Sequence, residues 1–353
     1  MSAAPAAIID TGALRHNLQA ARAAAPAARV MAVVKANAYG HGLELVTAAL
    51  HDADGFAVAR LDEAVAIRQS GTRRRVLVLE GPESPEELAD ARRYSLDLVI
   101  HNPQQLGWVE PAADGLAIWL KLDSGMHRLG FMPEQFAAAV TQLRSYAPAS
   151  VTLMTHLASA DLRDDPMTEK QLAEFAALLS PGDQSSVANS AGVLAWPDAR
   201  AGWVRPGIML YGISPFAGQT GIEFGLQPAM HFCTKLLAIR PVRAGETVGY
   251  CGTWTASRDT IIGTAAVGYG DGYPGNLPGG TPVLVNGRRC ELAGRVSMDL
   301  ITIDLGPGAG DEPGADVTLW GNGLAVEEIA DRAGRLAYEV VCGVSQRVPR
   351  ISV

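Results

Sequence analysis

Cysteine is scarce in this chain, and so are several other signals that would place it in a special class. Its four cysteines, Cys233, Cys251, Cys290 and Cys342, lie far apart, with no Cys-x-x-Cys pair and no histidine spacing suited to zinc. No disulfide framework and no metal site is expected, and the thiols read as reduced, which suits a cytoplasmic location. Positive charge is in deficit. The 29 Lys and Arg residues against 37 Asp and Glu give a net charge of -8 and a pI near 5.4, which argues against nucleic acid or an anionic membrane surface as the main partner. No apolar run reaches the roughly 18 residues a membrane span needs. The opening segment from Met1 to Ala7 has neither the charged start nor the long apolar core of an export signal, so export is not expected. Low-complexity tracts are missing too.

What the chain does have is length and core. At 353 residues the expectation is about two domains, and 48% hydrophobic against 19% charged residues describes an ordinary soluble globular protein. A short apolar segment, Ala6 to Asp10, precedes an amphipathic helix through Leu14, Leu18 and Ala21, capped by Asp10 or Thr11 and stopped near Pro26. From Val30 a rhythm sets in. Strand-like runs fall at Val30–Val34, Phe56–Ala59, Val76–Leu79, Leu96–Ile100, Leu116–Leu122, Val151–His156, Ser186–Asn189 and Trp203–Arg205. Helical patterns such as Asp62–Gln69, Pro85–Tyr94, Pro133–Tyr146 and Thr168–Leu179 lie between most of them. Strands alternating with helices in this number predict an α/β protein with a (β/α)8 barrel. A doubly wound open sheet alternates similarly, so the placement of polar residues is the stronger argument. Lys35, the Lys121–Arg128 segment, His156, Asn189-Ser190 and Arg205 to Ile208 all fall at or just past strand carboxyl ends, which in a barrel converge on one mouth. The turns after the seventh and eighth strands sit where barrels commonly bind phosphate.

After Gly212 the texture changes. Ile213 to Leu226 is rich in Gly and Pro and reads as a linker. Short alternating strands follow at Thr260–Val267, Pro282–Val285, Leu300–Leu305 and Val317–Trp320, with Asn286-Gly287 as a two-residue hairpin turn and a helix near Val326–Ala333. The expected division is a barrel over 1–222 and a mainly antiparallel β-domain over 223–353.

The stretch from Ala32 to Gly42 is the one most suggestive of chemistry. An apolar strand delivers Lys35 to a glycine-bracketed turn that also carries Tyr39. A lysine desolvated at a strand end has its pKa lowered, and its neutral amine can form a Schiff base with an aldehyde such as pyridoxal phosphate. A strand-end lysine pointing to water is the ordinary alternative for a lone lysine.

This stretch resembles the pyridoxal-phosphate attachment motif of the alanine racemases. The likeness continues in order through Leu120–Gly130, Thr155-His156, Asn189-Ser190, Arg205–Ile208, Gly268–Gly272, Gly294–Asp299, Tyr338-Glu339 and Arg347–Arg350. What the resemblance implies is a racemase that uses pyridoxal 5'-phosphate and two bases on opposite faces of the α-carbon, matched by Lys35 and by Tyr250 from the second domain. Tyrosine, with a pKa near 10, is a poor base at neutral pH; the family lowers it through a hydrogen-bonded chain to His156 and Arg205. Arg205 matches the arginine facing the pyridine nitrogen. Since arginine can only donate there, that nitrogen stays unprotonated, which favours racemisation over transamination. Arg128 matches the residue contacting the cofactor's phenolic oxygen and the substrate carboxylate, and Lys121 a lysine that is carbamylated in many relatives. Tyr39, Ser190, Gly207, Ile208 and Tyr338 match the phosphate cradle, with Asn189 close by. Met298 matches a residue whose backbone N–H meets the substrate carboxylate, and Tyr269 and Asp299 the lining of the entrance. The same resemblance implies a homodimer in which each site joins the barrel of one subunit to the second domain of the other.

Two departures stand out: Cys251 where relatives often carry glycine, and Ser297 where some have cysteine. Neither removes a group the chemistry needs. Other readings are a racemase for serine or basic amino acids, a decarboxylase on the same plan, and a non-catalytic pyridoxal-phosphate carrier. A decarboxylase is expected to have a carboxylate in place of Arg205. A single-barrel carrier lacks the region from Leu226 to Val353.

Overall fold

The computed structural model describes residues 4–110 and 113–353. The chain opens with β1 (Ala6–Ile9) and a helix, Thr11–Ala24, whose first turn is closed by Asp10 Oδ1 accepting from the Ala13 N–H at 2.9 Å. A cap of this kind contributes about 1 kcal/mol. Eight parallel strands then close a barrel: β2 (Arg29–Val33), β3 (Gly55–Val58), β4 (Arg75–Val78), β5 (Asp97–Ile100), β6 (Ala117–Lys121), β7 (Ser150–Met154), β8 (Gln184–Ser186) and β9 (Trp203–Val204), with β9 pairing back onto β2. Their apolar runs are buried because strand neighbours and outer helices cover both faces. All eight coincide, within a few residues, with the runs read from the sequence.

The second unit contains β10 (Met230–Val242), a ribbon of β11 (Thr247–Val248) and β12 (Trp254–Thr255), then β13 (Thr260–Ala265), β14 (Pro282–Val285), β15 (Arg288–Leu292), β16 (Ile301–Gly306), β17 (Asp316–Trp320) and β18 (Arg350–Ser352). Its sheet runs β13-β16-β15-β14-β17-β10-β1-β18, with β13 also paired to β10, and every pairing but β1–β18 is antiparallel. Asn286 and Gly287 both take positive φ (48° and 78°) in the turn joining β14 to β15, as a two-residue hairpin loop requires.

Two features differ from the sequence reading. First, β1 belongs to this second sheet, between β10 and β18, although it precedes the barrel; the 1–222 boundary therefore assigns it to the wrong unit. Four small apolar residues carry no sign of which sheet they join. Second, the Ile213–Leu226 segment is anchored: Glu327, on the helix Val326–Ala333, accepts from the Ser214 and Gly221 N–H groups at 2.9 and 2.8 Å. Arg350 is a further clasp. Its guanidinium donates to the carbonyls of Gly40, Ser345, Val348 and Val344 at 2.6–3.0 Å, joining the barrel's Lys35 turn to β18. Arg350→Ala is expected to lower unfolding free energy by about 2–3 kcal/mol, since several charge-assisted bonds go at once. Urea titration with an unchanged slope would show it; an unmoved midpoint would mean that water replaces the clasp without cost.

Among the described residues no helix is long and apolar enough to cross a membrane.

Candidate active site

The carboxyl ends of the barrel strands surround a cavity of about 630 Å³. Lys35, Tyr39, Lys121, Arg128, His156, Asn189, Ser190, Arg205, Gly207, Ile208 and Tyr338 all line it. Every residue that the sequence assigned to the barrel half of the site is thus brought to one place. Four of these side chains are cationic, Lys35, Lys121, Arg128 and Arg205, against two carboxylates, Glu80 and Asp161. In a chain of net charge -8, such a concentration of positive charge marks a pocket for an anion.

Lys35 leaves β2 into an unusual turn. Ala36, Asn37 and Ala38 have φ of 54° and ψ of 46–53°, and Tyr39 has φ of 51°. Non-glycine residues in this left-handed region cost about 1–2 kcal/mol each, so neighbouring groups must hold the turn. Asn37 Oδ1 accepts from the Leu43 N–H at 2.8 Å, and the Tyr39 carbonyl lies 2.9 Å from His41 Nδ1. At Gly40 (φ 80°) a Cβ would come within 2.2 Å of the Val341 carbonyl oxygen, so only glycine lets the turn pass the helix Ala337–Cys342. Burial and the charge of Arg128 lower the pKa of Lys35, partly offset by Glu80 and Glu63. A neutral, nucleophilic amine is thereby brought nearer to neutral pH.

Arg205, which also lines the cavity, is buried just past β9. It donates through Nη1 to Ser186 Oγ at 2.5 Å and through Nη2 to the carbonyls of Thr155 and Val187 at 2.7 and 3.2 Å. Burial draws its pKa down to about 10, so it remains charged at neutral pH. Nη2 also lies 3.3 Å from His156 Nδ1. Arginine only donates, so Nδ1 must accept, and the neutral ring carries its proton on Nε2. His156 is held neutral: burial, then Arg205, Lys121, Arg128 and Lys35, push its pKa well down. The ring faces the cavity and retains some accessible surface while protein encloses the rest.

Lys121, the last residue of β6, is buried, and its pKa falls to about 8 through desolvation, then Arg205 and Arg128, with Asp123 opposing. The loop after it doubles back, Phe131 N–H bonding to the Lys121 carbonyl at 2.8 Å, while Asp123 Oδ1 accepts from Gly125 and His127 N–H. This fold-back brings Arg128 to the cavity. On the opposite wall, Ser190 Oγ accepts from the N–H groups of Gly207 and Met209 at 2.9 and 3.3 Å, which frees its own proton to face a ligand. Asn189 caps the short helix Ser190–Ala195 through Oδ1. Gly207 cannot be substituted without conflict, because a Cβ there would sit 2.4 Å from the Tyr39 hydroxyl. Tyr39 and Tyr338 have pKa values raised by burial, so both phenols stay protonated and available as donors.

Of the residues assigned from the second domain, Tyr338 reaches this cavity; the others lie elsewhere. Tyr250, on the turn between β11 and β12, is 68% exposed, and Met298 and Tyr269 are 55% and 49% exposed. None of them, nor Asp299, lines the barrel cavity. They are nevertheless held firmly. Tyr269 and Gly270 N–H bond to the Ser297 and Met298 carbonyls at 3.0 and 2.8 Å, and Arg347 bridges Asp271 and Asp299 at 2.7 and 2.6 Å. Cys251 takes φ of 61°, the left-handed conformation that glycine would adopt more readily. Glu80, Asp161, Leu336 and Cys342 also line the cavity, and the sequence offered no sign of them. Each stands in a loop or short helix whose path only the fold reveals.

Fold and pocket together define a two-domain protein, a barrel with a cationic cavity followed by a β-domain. Profile comparison matches residues 9–215 to the alanine racemase N-terminal domain and 229–352 to the alanine racemase C-terminal domain. An alanine racemase from Shewanella woodyi is 49% identical over 349 residues, 98% of each chain, and that of Shewanella sediminis is 49% identical over 350 residues with the same coverage. Among solved structures, the biosynthetic alanine racemase from Pseudomonas aeruginosa aligns with a TM-score of 0.95 at 48% identity over 99% of both chains. The alanine racemase from Acinetobacter baumannii aligns with a TM-score of 0.96 at 37% identity, again over 99% of both. The chain belongs to the alanine racemase family.

Proposed function

We propose that the protein is a cytoplasmic, dimeric alanine racemase that interconverts L- and D-alanine with pyridoxal 5'-phosphate, supplying D-alanine for peptidoglycan or degrading it. The observation that carries this reading is the cationic barrel cavity, which a lysine desolvated by burial lines together with Tyr39, Ser190, Gly207 and Tyr338. The residues fit the cofactor. Tyr39, Tyr338 and Ser190 offer hydroxyl donors, and the missing side chain at Gly207 leaves backbone within reach of a phosphate. Lys35 is the amine for the aldehyde, and Arg205 is a permanent donor for the ring nitrogen. Bound there, pyridoxal phosphate would supply the electron sink that makes the α-proton of alanine acidic.

The chain's own groups supply the rest. Arg128 presents a guanidinium fork to the substrate carboxylate, with the Met298 backbone N–H of the second domain as a further donor. Lys35 moves a proton on one face of the α-carbon and Tyr250 of the partner subunit on the other. His156 Nε2–H, oriented by Arg205 through Nδ1, is a donor that would stabilise the ionised phenol. Tyr269 and Asp299 would border the entrance. A non-catalytic carrier is not favoured, because the chain has the full β-domain. The direct test is loss of optical rotation by L-alanine on adding the purified protein with cofactor, together with borohydride trapping and peptide mapping. Cofactor attached away from Lys35 would overturn the assignment.

Lys121 yields a separate expectation. A neutral amine, but not an ammonium, adds to carbon dioxide, and the resulting anion would settle among the Arg128 and Arg205 charges. With a pKa near 8, the reactive fraction grows as pH rises through that value. Intact-protein mass spectrometry in bicarbonate should show a carbon-dioxide adduct on Lys121 that increases from pH 7 to 9. Activity after exhaustive removal of carbon dioxide should fall and then recover on its return; indifference to carbon dioxide would contradict the proposed adduct.

A further inference from the structure

We propose that Glu63 is a positioning residue for Lys35, its carboxylate clamping the left-handed turn from which the lysine projects. Glu63 stands in the first turn of the helix Leu61–Gln69, which follows β3. From there it could do no more than cap its own helix, and one oxygen does so: Oε2 accepts from the N–H groups of Ala59 and Arg60 at 3.0 and 3.4 Å. The other oxygen leaves that helix. Oε1 accepts from the Ala36 N–H at 2.7 Å, the shortest of the three bonds and the one made to the amide that directly follows Lys35.

That amide matters because Ala36 is the first of four successive non-glycine residues at positive φ. The far end of the turn is tied down by His41 at the Tyr39 carbonyl and by Arg350 at the Gly40 carbonyl. At the near end, Asn37 Oδ1 reaches forward to Leu43, so the Ala36 bond is the side-chain tie that fixes where the turn begins. An ionised carboxylate makes it stronger than a neutral acceptor would. By joining the ends of β2 and β3, Glu63 holds the direction in which Lys35 enters the cavity. A displacement of about 1 Å at a reacting group can cost up to about a hundredfold in rate.

This inference rests on the reading of Lys35 as the reacting amine, and its test separates the two. Amide hydrogen exchange is followed on the chain without cofactor for wild type, Glu63→Ala and Glu63→Gln, and kcat and KM are measured on the loaded enzymes. The alanine variant should speed exchange in the Ala36–Gly40 segment by about tenfold or more and lower kcat by about tenfold or more, with KM within about twofold. The glutamine variant, with one accepting oxygen left, should fall between it and wild type. Faster exchange confined to Leu61–Gln69 would mean that Glu63 only caps its helix, and the proposal would be wrong. It would also be wrong if the turn loosened and kcat stayed at the wild-type level. If the alanine variant does not fold, the glutamine variant decides on the same two readings. Because exchange is read without cofactor, a negative result there overturns the clamp whatever Lys35 does, whereas borohydride mapping tests Lys35 alone.

Discussion

Replacing Tyr250 by Phe is expected to abolish α-hydrogen exchange chiefly from L-alanine, and replacing Lys35 by Ala chiefly from D-alanine. The asymmetry follows from geometry. A proton can be taken only from the side on which a base stands, and the two enantiomers present it to opposite sides. Each substitution should cost about 10²–10⁴-fold on its own enantiomer, the usual worth of a positioned acid or base. Deuterium incorporation from heavy water, followed by mass spectrometry from each pure enantiomer, reads the two directions separately. Equal and mild losses in both directions would reject the assignment of two bases.

Mixing the two inactive variants gives the second large effect. Tyr250 is exposed and lines no part of its own chain's barrel cavity. If it serves the cavity of a neighbour, a dimer of one Lys35→Ala chain and one Tyr250→Phe chain holds one site with both lesions and one with neither. Co-refolding the variants in equal amounts should therefore restore activity to about a quarter of wild type, because half the dimers are mixed and each has one intact site of two. A site completed within one chain would predict no recovery at all, since every chain carries a lesion. Sedimentation of an active monomer would be equally decisive against the shared site.

Much of this molecule was legible in residue order. Valine- and isoleucine-rich runs such as Val30–Val34 can only be buried on both faces, and their polar endings at Lys35, His156 and Arg205 pointed to one mouth. The Asn286-Gly287 turn and the helix Val326–Ala333 needed nothing beyond local chemistry. Other elements did not announce themselves. The long strand β10 alternates buried and half-buried positions, but it ends in Arg240, Pro241 and Val242, which read locally as a break. The left-handed turn at Ala36–Tyr39 contains no glycine, so conformational preference gave no warning, and tertiary bonds impose it. Arg350 and Glu63 act across hundreds of residues or between neighbouring strand ends, where no periodicity reaches. For the cavity, residue types at strand ends were enough to name most of the lining. The 3.3 Å separation that pairs the Arg205 guanidinium with a neutral His156 ring came only with the fold.

The placement of β1 bears on how the protein is made. Its two partners, β10 and β18, lie on the far side of the barrel in the chain, and β18 is the last strand. During synthesis the first strand emerges with no mate and must wait, while the barrel strands follow it, until β10 is made; its second partner, β18, comes later still. Severing the chain near residue 222 should accordingly yield a fragment with a raw sheet edge between β10 and β18 and not a free-standing domain. Supplying a peptide with the sequence of the first ten residues in trans would be the natural way to heal it.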